Sequence, residues 1–427
     1  MEHERNMSPG TLVVERVDAH ALARLDATQW DTLSAHALVE NPFYARQYVL
    51  AGLRTIDRDT PLEALAVRGP ERDLRGLFPY QRRRFPFANA DGACNVYQPT
   101  CTPLVHRDHA AAVVEAWLDA TLAREGLPRR WQLRHVDLDS KLTALLDAAL
   151  ARRGLRSVAV NTYQRPRLTR LDGGLDRHLA NVLSKSRLKD LQRNLRRLGE
   201  LGTVRFERAG ASELVARRFE QFLAMENAGW KGESGTAILA RGSDADFARA
   251  AFMPRNGQPA TVSIDTLLLD ERPIAFSINM RARDTAFTPK CTYDENYRRF
   301  SPGFLLEYFV IEAFYAGDGV SEMDACTTSD GHVIAGFWNS AKPVGTLIVG
   351  PNNWQTAALA FSAEATHAVR ERLKVALRRL PLRRWAKSLA AARAEGRPAR
   401  AVDGRPRRRH HRRRAVRRVI PGRRRRS

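Results

Sequence analysis

Residues 297–306 read Tyr-Arg-Arg-Phe-Ser-Pro-Gly-Phe-Leu-Leu, an order suited to holding an anion. Ser301 is a natural helix N-cap and Pro302 a natural first helical residue. Gly303 presents no side chain where a ligand would approach the backbone. The helix that follows is apolar almost all round (Phe304, Leu305, Leu306, Tyr308, Phe309, Val310, Ile311, Phe314), so it should be buried. Its N-terminus would offer free N–H groups and the positive end of a dipole, with Arg298 and Arg299 adding charge. Other chemistries find less support. No Gly-x-Ser-x-Gly elbow for Ser-His-Asp hydrolysis is present, and no metal motif. Cys94, Cys101, Cys291 and Cys326 have neither CxxC nor zinc spacing. His106 and His109 flank Arg107 and Asp108, which indicates a solvated loop or helix start.

A turn of this kind needs one strand leading in and another returning. Thr285–Tyr293 is the expected incoming strand, and Pro289 inside it demands an edge or a bulge, because proline cannot donate to a ladder. Val320–Ala325 is the expected return. Upstream, Val262–Leu268 and Ile274–Met280 alternate with period two and, joined by the short Asp270–Pro273 link, predict an antiparallel hairpin. Ser212 opens a helix through Phe219, Phe222 and Leu223 that ends where Glu226, Trp230 and Lys231 cluster. His178–Leu201 has helical apolar spacing, with Lys185, Arg187, Lys189, Arg193, Arg196 and Arg197 over much of the rest, a solvated face or an anion-facing one. Thr203–Arg208 supplies a strand. Residues 11–165 alternate in the same manner. Ala19–Leu38, His109–Arg124 and Ser140–Arg153 read as helices, the last closed by Gly154. Leu62–Val67 and Trp131–Val136 read as strands, and Phe78–Pro103, rich in Pro, Gly and aromatics, as irregular with at most one strand. That half holds no constellation of acid, base and nucleophile.

The chain has 427 residues, enough for two or three domains at ~100–200 residues each. With 44% hydrophobic and 27% charged residues it is not a disordered polymer. No stretch approaches the ~18 apolar residues of a membrane span. Met1-Glu2-His3-Glu4-Arg5 lacks a signal-peptide pattern, so the expected location is cytoplasmic. The net charge of +23 is concentrated at one end. Residues 396–427 contribute +14 and residues 366–395 contribute +7, leaving +2 for residues 1–365. An arginine-rich block of this kind is expected to be disordered, to bind polyanions without sequence specificity and to touch anionic membranes only electrostatically.

The strand, Arg-x-x-Ser-x-Gly turn, buried helix and returning strand resemble the core of the GNAT acyltransferases. Arg298, Ser301 and Gly303 occupy the positions of that family's Arg/Gln-x-x-Gly-x-Gly/Ala pyrophosphate signature, with Ser301 replacing the first glycine. Trp230-Lys231-Gly232, the run from Asp294 to Gly303, and Asp324 extend the resemblance to the FemAB-like, cellulose-biosynthesis-type branch over residues 175–350. It is faint over residues 11–165. The resemblance implies an α/β fold of tandem GNAT-like domains, each a mixed, mostly antiparallel sheet flanked by helices, plus a basic C-terminal tail. The implied divisions are an N-terminal domain without cofactor (11–165), a catalytic domain (166–362), a basic helical segment (363–395) and an Arg-rich tail (396–427). It also accounts for Pro289, because the fourth and fifth GNAT strands splay apart around the acyl thioester.

By the same resemblance the protein is an N-acyltransferase. It would use acetyl-CoA or another acyl-CoA as co-substrate, without a metal, on an amine of a small or cell-envelope-related acceptor. Arg298, Arg299, Ser301, Gly303 and Phe304 would bind the cofactor, and Trp230 and Lys231 the substrate. Proton transfer would fall to Asp324, Tyr293, Glu226 or His332. Each has a structural alternative: a turn cap for Asp324, packing for Tyr293, a salt bridge to Lys231 for Glu226 and a surface loop for His332. Two other functions stay open. One is an aminoacyl-tRNA-dependent FemAB-type transferase, which the basic helix and the tail would suit. The other is a non-enzymatic polyanion-binding protein whose GNAT domains are relics. The expected partners are the acceptor and, through the tail, nucleic acid or anionic membrane.

Overall fold

Period-two runs form strands and 3.6-period runs form helices in the computed structural model, which describes residues 11–123, 126–254, 261–317, 319–327 and 333–379. In the first half, β1 (Val13–Asp18), β2 (Leu62–Arg68), β3 (Leu74–Arg83), β4 (Asn89–Gly92), β5 (Leu104–Val105) and β6 (Trp131–Asp137) accompany five helices. These are α1 (Ala19–Ala23), α2 (Ala27–Ala35), α3 (Arg46–Arg54), α4 (Ala110–Ala123) and α5 (Lys141–Arg152). The long β7 (Leu155–Thr169) leads to α6 (Gly174–Val182), α7 (Lys185–Gly199), β8 (Val204–Ala209), α8 (Ser212–Ala228), α9 (Trp230–Glu233) and α10 (Gly242–Phe252). Then come β9 (Val262–Leu269), β10 (Arg272–Ala282), β11 (Thr285–Tyr293), α11 (Pro302–Ala316), β12 (Glu322–Asp324), β13 (Ser340–Pro351) and α12 (Trp354–Arg379).

Local chemistry explains the boundaries. Asp270 and Glu271 both adopt positive φ (47° and 63°), the two-residue turn that matches strand twist and closes the β9–β10 hairpin. The helix expected over His178–Leu201 is two helices. Ser184 interrupts it, because its hydroxyl accepts the Arg187 N–H and caps α7, an alternative the apolar spacing does not reveal. The return strand is shorter than Val320–Ala325, covering Glu322–Asp324. Gly317, at φ 98°, ends α11.

Among the described residues the strands form one sheet in the order β1-β2-β3-β4-β6-β13-β7-β12-β11-β10-β9-β8, with β5 beside β3. Two copies of one pattern lie end to end in it. β1 to β4 are antiparallel and β4 runs parallel to β6; β8 to β11 are antiparallel and β11 runs parallel to β12. Each copy is closed by a strand from the other part of the chain. β13 pairs antiparallel with β6, and β7 pairs antiparallel with β12. β7 and β13 then pair with each other from Leu155 to Arg167, so residue 165 falls inside a shared strand. The chain divides into two compact units, residues 1–367 and 368–427. Residues 368–379 of the second are helical, and the Arg-rich tail lies outside the described residues.

One core lies under α6, α7 and α11, against Leu267, Ile274 and Ala286 of the sheet. A second lies under α8 and α10 and includes Phe276, Ile278 and Phe287, together with Phe43 and Tyr48 from the first half. The second β-pattern is thus clamped between helices on both faces, which fixes the strand ends that carry the site.

Candidate active site

β11 parts from β12 halfway along. Thr285, Ala286 and Phe287 pair with Glu322, Met323 and Asp324, and the strand then continues to Tyr293 paired only with β10. A bulge sits at the parting. Ile278 opposes Lys290 and Met280 opposes Phe287, so Thr288 and Pro289 share the place opposite Asn279. Pro289, lacking an N–H, is tolerated at such a bulge. The bulge is held from below. Thr288 Oγ1–H donates to Asn279 Oδ1 at 2.8 Å, Asn279 Nδ2 to Asp265 Oδ2 at 2.8 Å, and Arg208 grips Asp265 at 2.6 and 2.9 Å.

The open edge borders a cleft of about 590 Å³. Pro289–Tyr293 form one wall, Arg298 and the start of α11 another, and Glu226, Trp230 and Lys231 a third. Ser301 occupies the N-cap of α11 with φ 53° and its side chain makes no cap hydrogen bond; its carbonyl instead accepts the amides of Phe304 and Leu305. Among the described residues the Gly303 amide has no backbone partner. A Cβ on Gly303 would lie 3.7 Å from Tyr293 Cδ1, so the position tolerates a side chain, which would project into the cleft. Phe304 stacks on Phe337 at 4.3 Å.

The structure gathers Glu226, Trp230, Lys231, Tyr293, Arg298, Ser301, Gly303 and Phe304 around this one cleft. Glu226 is committed there: one oxygen accepts Lys231 Nζ at 2.8 Å, the other the Ile238 N–H at 2.9 Å. Lys231 also donates to the Cys291 carbonyl at 3.1 Å. Trp230 is half exposed and its N–H donates to Glu295. Arg299 is not a cleft residue, and its guanidinium covers the Phe300 ring at 4.6 Å. Asp324 is not one either. It is buried at the end of β12, where burial raises its carboxyl, but Arg165 and Lys342 outweigh that and hold it at about 2. Lys342 Nζ lies 2.9 Å from its Oδ2, Arg165 Nη1 3.5 Å, and Cys326 N–H donates to Oδ1 at 2.7 Å. A carboxylate so compensated is a poor proton acceptor. His332 lies outside the described residues.

One cleft residue escaped the sequence reading. Glu307 is the single carboxylate in the otherwise apolar first turns of α11, and it is buried in the cleft. Burial pushes its carboxyl up to about 7; the Trp338 indole N–H opposes this, Asp265 adds to it and Arg208 offsets part. A lone acid in an apolar helix was the available signal. Its titration near neutrality matches what acid–base catalysis needs.

Among the described residues no group of three or more His, Cys, Asp or Glu could hold a metal ion, and no helix is long and apolar enough to cross a membrane.

A search of curated protein sequences found no match. Among solved structures, the chain is similar to FemX (10% identity over 78% of this chain and 96% of that one, TM-score 0.49). It is also similar to L-PGS from Bacillus licheniformis (12%, 80% and 96%, TM-score 0.44). A tandem GNAT protein from the clavulanic acid biosynthesis pathway matches as well (16%, 80% and 100%, TM-score 0.39). The profile of the acetyltransferase (GNAT) domain matches residues 185–332, the span that contains β8 to β12, the parted strands and the α11 turn. Residues 185–332 therefore belong to the GNAT acetyltransferase-domain family.

Proposed function

We propose that the cleft binds an acyl-CoA and that the enzyme transfers its acyl group to an amine. The observation that supports this most is the open edge of β11 beside the unpartnered start of α11. A pantetheine arm carries amides and can pair with unpaired strand backbone as an added strand would. The pyrophosphate would meet the Gly303 amide and the helix dipole, with Arg298 supplying a cation. Tyr293, packed by Gly303, borders this phosphate end, and Trp230 and Lys231 flank the opening. The amine lone pair attacks the thioester carbonyl carbon, a C–N bond forms and the C–S bond breaks. Glu307 takes the proton that the amine nitrogen loses, and the departing thiolate takes up a proton in turn. Positioning contributes the larger part of the barrier reduction, on the order of 7–11 kcal/mol.

A second reading takes the acyl group from an aminoacyl-tRNA. Its support is α7, whose cations Lys185, Lys189, Arg196 and Arg197 are exposed and which packs against the segment bearing Arg298. Thermal unfolding with acetyl-CoA, CoA and total tRNA separates the two, since a ligand that binds only the folded chain raises the melting temperature. A shift with acetyl-CoA, and thiol release on adding an amine, is the expected result. A shift with tRNA alone would transfer the donor role to the nucleic acid.

A further inference from the structure

A second cavity, of about 310 Å³, lies beside the parted strands, walled by Val96–Pro99, Thr288–Cys291 and Ala325–Thr327. It belongs to the α8 face of the sheet: Ile278, opposite Lys290 in the ladder, packs in the core beneath α8 and α10, and Tyr97 stacks on Phe247 of α10. Pro289, Lys290, Cys291 and Ile334 line this cavity and the acyl-CoA cleft alike. The two spaces therefore share a wall where β11 leaves β12.

Two polar groups face this cavity, one half-buried and one buried. The Lys290 ammonium has no ion pair among the described residues and faces the Tyr97 ring at 4.9 Å. Thr327 is 9% exposed and its Oγ1 has no hydrogen-bond partner among the described residues. A buried polar group is ordinarily satisfied, so the Thr327 hydroxyl, set in one cavity with a half-buried cation that has no ion pair among the described residues, points to an occupant. Desolvation lowers the Lys290 pKa from its ordinary value, with Glu226, Lys231, Cys291 and Asp244 as the further charges that act on it. An incoming anion would reverse that. The walls are pinned from both halves of the chain: Arg165 donates to the Pro99 carbonyl at 2.5 Å and to the Thr327 carbonyl at 2.9 Å, and Asp324 balances its charge.

We infer that this cavity is the acceptor subsite and that the acceptor carries a carboxylate beside its amine, paired by the Lys290 ammonium and by the Thr327 hydroxyl. The inference rests on the acyl-CoA reading for the amine's destination, but the anion site itself does not. The amine would reach the thioester past Pro289 in the shared wall, and the cavity volume suits a molecule of amino-acid size.

The test follows labelling of Lys290 in the full chain by acetic anhydride, read by peptide mass spectrometry at constant ionic strength. The probes are acetate, trimethylglycine, inorganic phosphate and the neutral acetamide. Carboxylate should slow Lys290 labelling about tenfold at about ten times its Kd, with surface lysines unaffected and acetamide inert. Thr327→Val should weaken that protection while Lys290 remains reactive. Equal labelling with and without carboxylate overturns the inference, and so does protection by phosphate alone. Because no donor takes part, protection that survives a failure of acetyl-CoA binding would sink only the acyl-CoA reading. In turnover, amino acids should be preferred to their decarboxylated amines, and Lys290→Met should abolish the preference.

Discussion

Trp338 donates its indole N–H to Glu307 at 2.5 Å, and this contact joins the segment before β13 to the helix that opens at the cleft. It stabilises the ionised carboxylate against a burial that favours the neutral acid. The balance leaves Glu307 titrating at about 7, where a carboxylate can accept a proton from an amine and return it.

Replacing Glu307 with Gln should lower kcat by about 10²–10⁴-fold and leave acetyl-CoA affinity nearly unchanged. In the wild-type enzyme kcat/KM should rise with pH through about 7, because the base must be ionised, and the Gln variant should lose that limb. Trp338→Phe should move the limb to higher pH by removing a donor to the ionised form. An unaltered pH profile in both variants would show that the proton goes elsewhere.

The same titration predicts a stability signature. A carboxyl whose folded pKa is raised binds a proton in the folded state that the unfolded chain has lost. Its contribution to stability is therefore fully present below the ordinary value of 4.5 and is lost as pH rises to about 7, on the order of 3 kcal/mol. Glu307→Gln should flatten that interval in urea unfolding.

Asp324 should behave in the opposite sense. Its carboxyl is held at about 2 rather than 3.8, so its stabilisation is present above the ordinary value and is lost as pH falls toward 2. Asp324→Asn leaves Arg165 and Lys342 buried without their shared counter-charge, which should cost about 3–5 kcal/mol in unfolding at neutral pH. A variant as stable as wild type but without turnover would restore Asp324 as a proton acceptor.

Removing residues 396–427 takes away a charge of +14. Nucleic-acid and anionic-vesicle binding should weaken, most clearly at low salt, since the Debye length is about 10 Å at 0.1 M and shrinks as salt is added. Turnover of a small acyl-CoA with a small amine should stay nearly constant. Loss of that turnover in a folded truncation would mean the tail serves the chemistry.

Much of the site was legible because its geometry is local. The Ser301-Pro302-Gly303 helix start, the Asp270-Glu271 hairpin and the Pro289 irregularity each depend on neighbouring residues and fall where those residue types place them, although Ser301 caps α11 in the left-handed region without the side-chain hydrogen bond expected of it. The rest depends on contacts distant in sequence. That β13 closes the first half while β7 closes the second is decided by pairing between residues 155–167 and 340–351, which no local period records. Asp324 reads as a site residue because it ends a strand beside the Ser301–Gly303 turn; its neutralisation by Arg165, 159 positions away, is invisible locally. Glu307 was passed over for the converse reason, since its significance comes from Trp338 and from the burial of the helix around it.

The most direct test of the central claim is amide hydrogen exchange of the full chain with and without acetyl-CoA. The open edge of β11 and the start of α11 should gain protection together, at residues 290–293 and 303–305, while β9 and the first half change little. Saturating acetyl-CoA that protects neither segment, or protects the chain only elsewhere, would contradict the placement of the acyl donor between the parted strands.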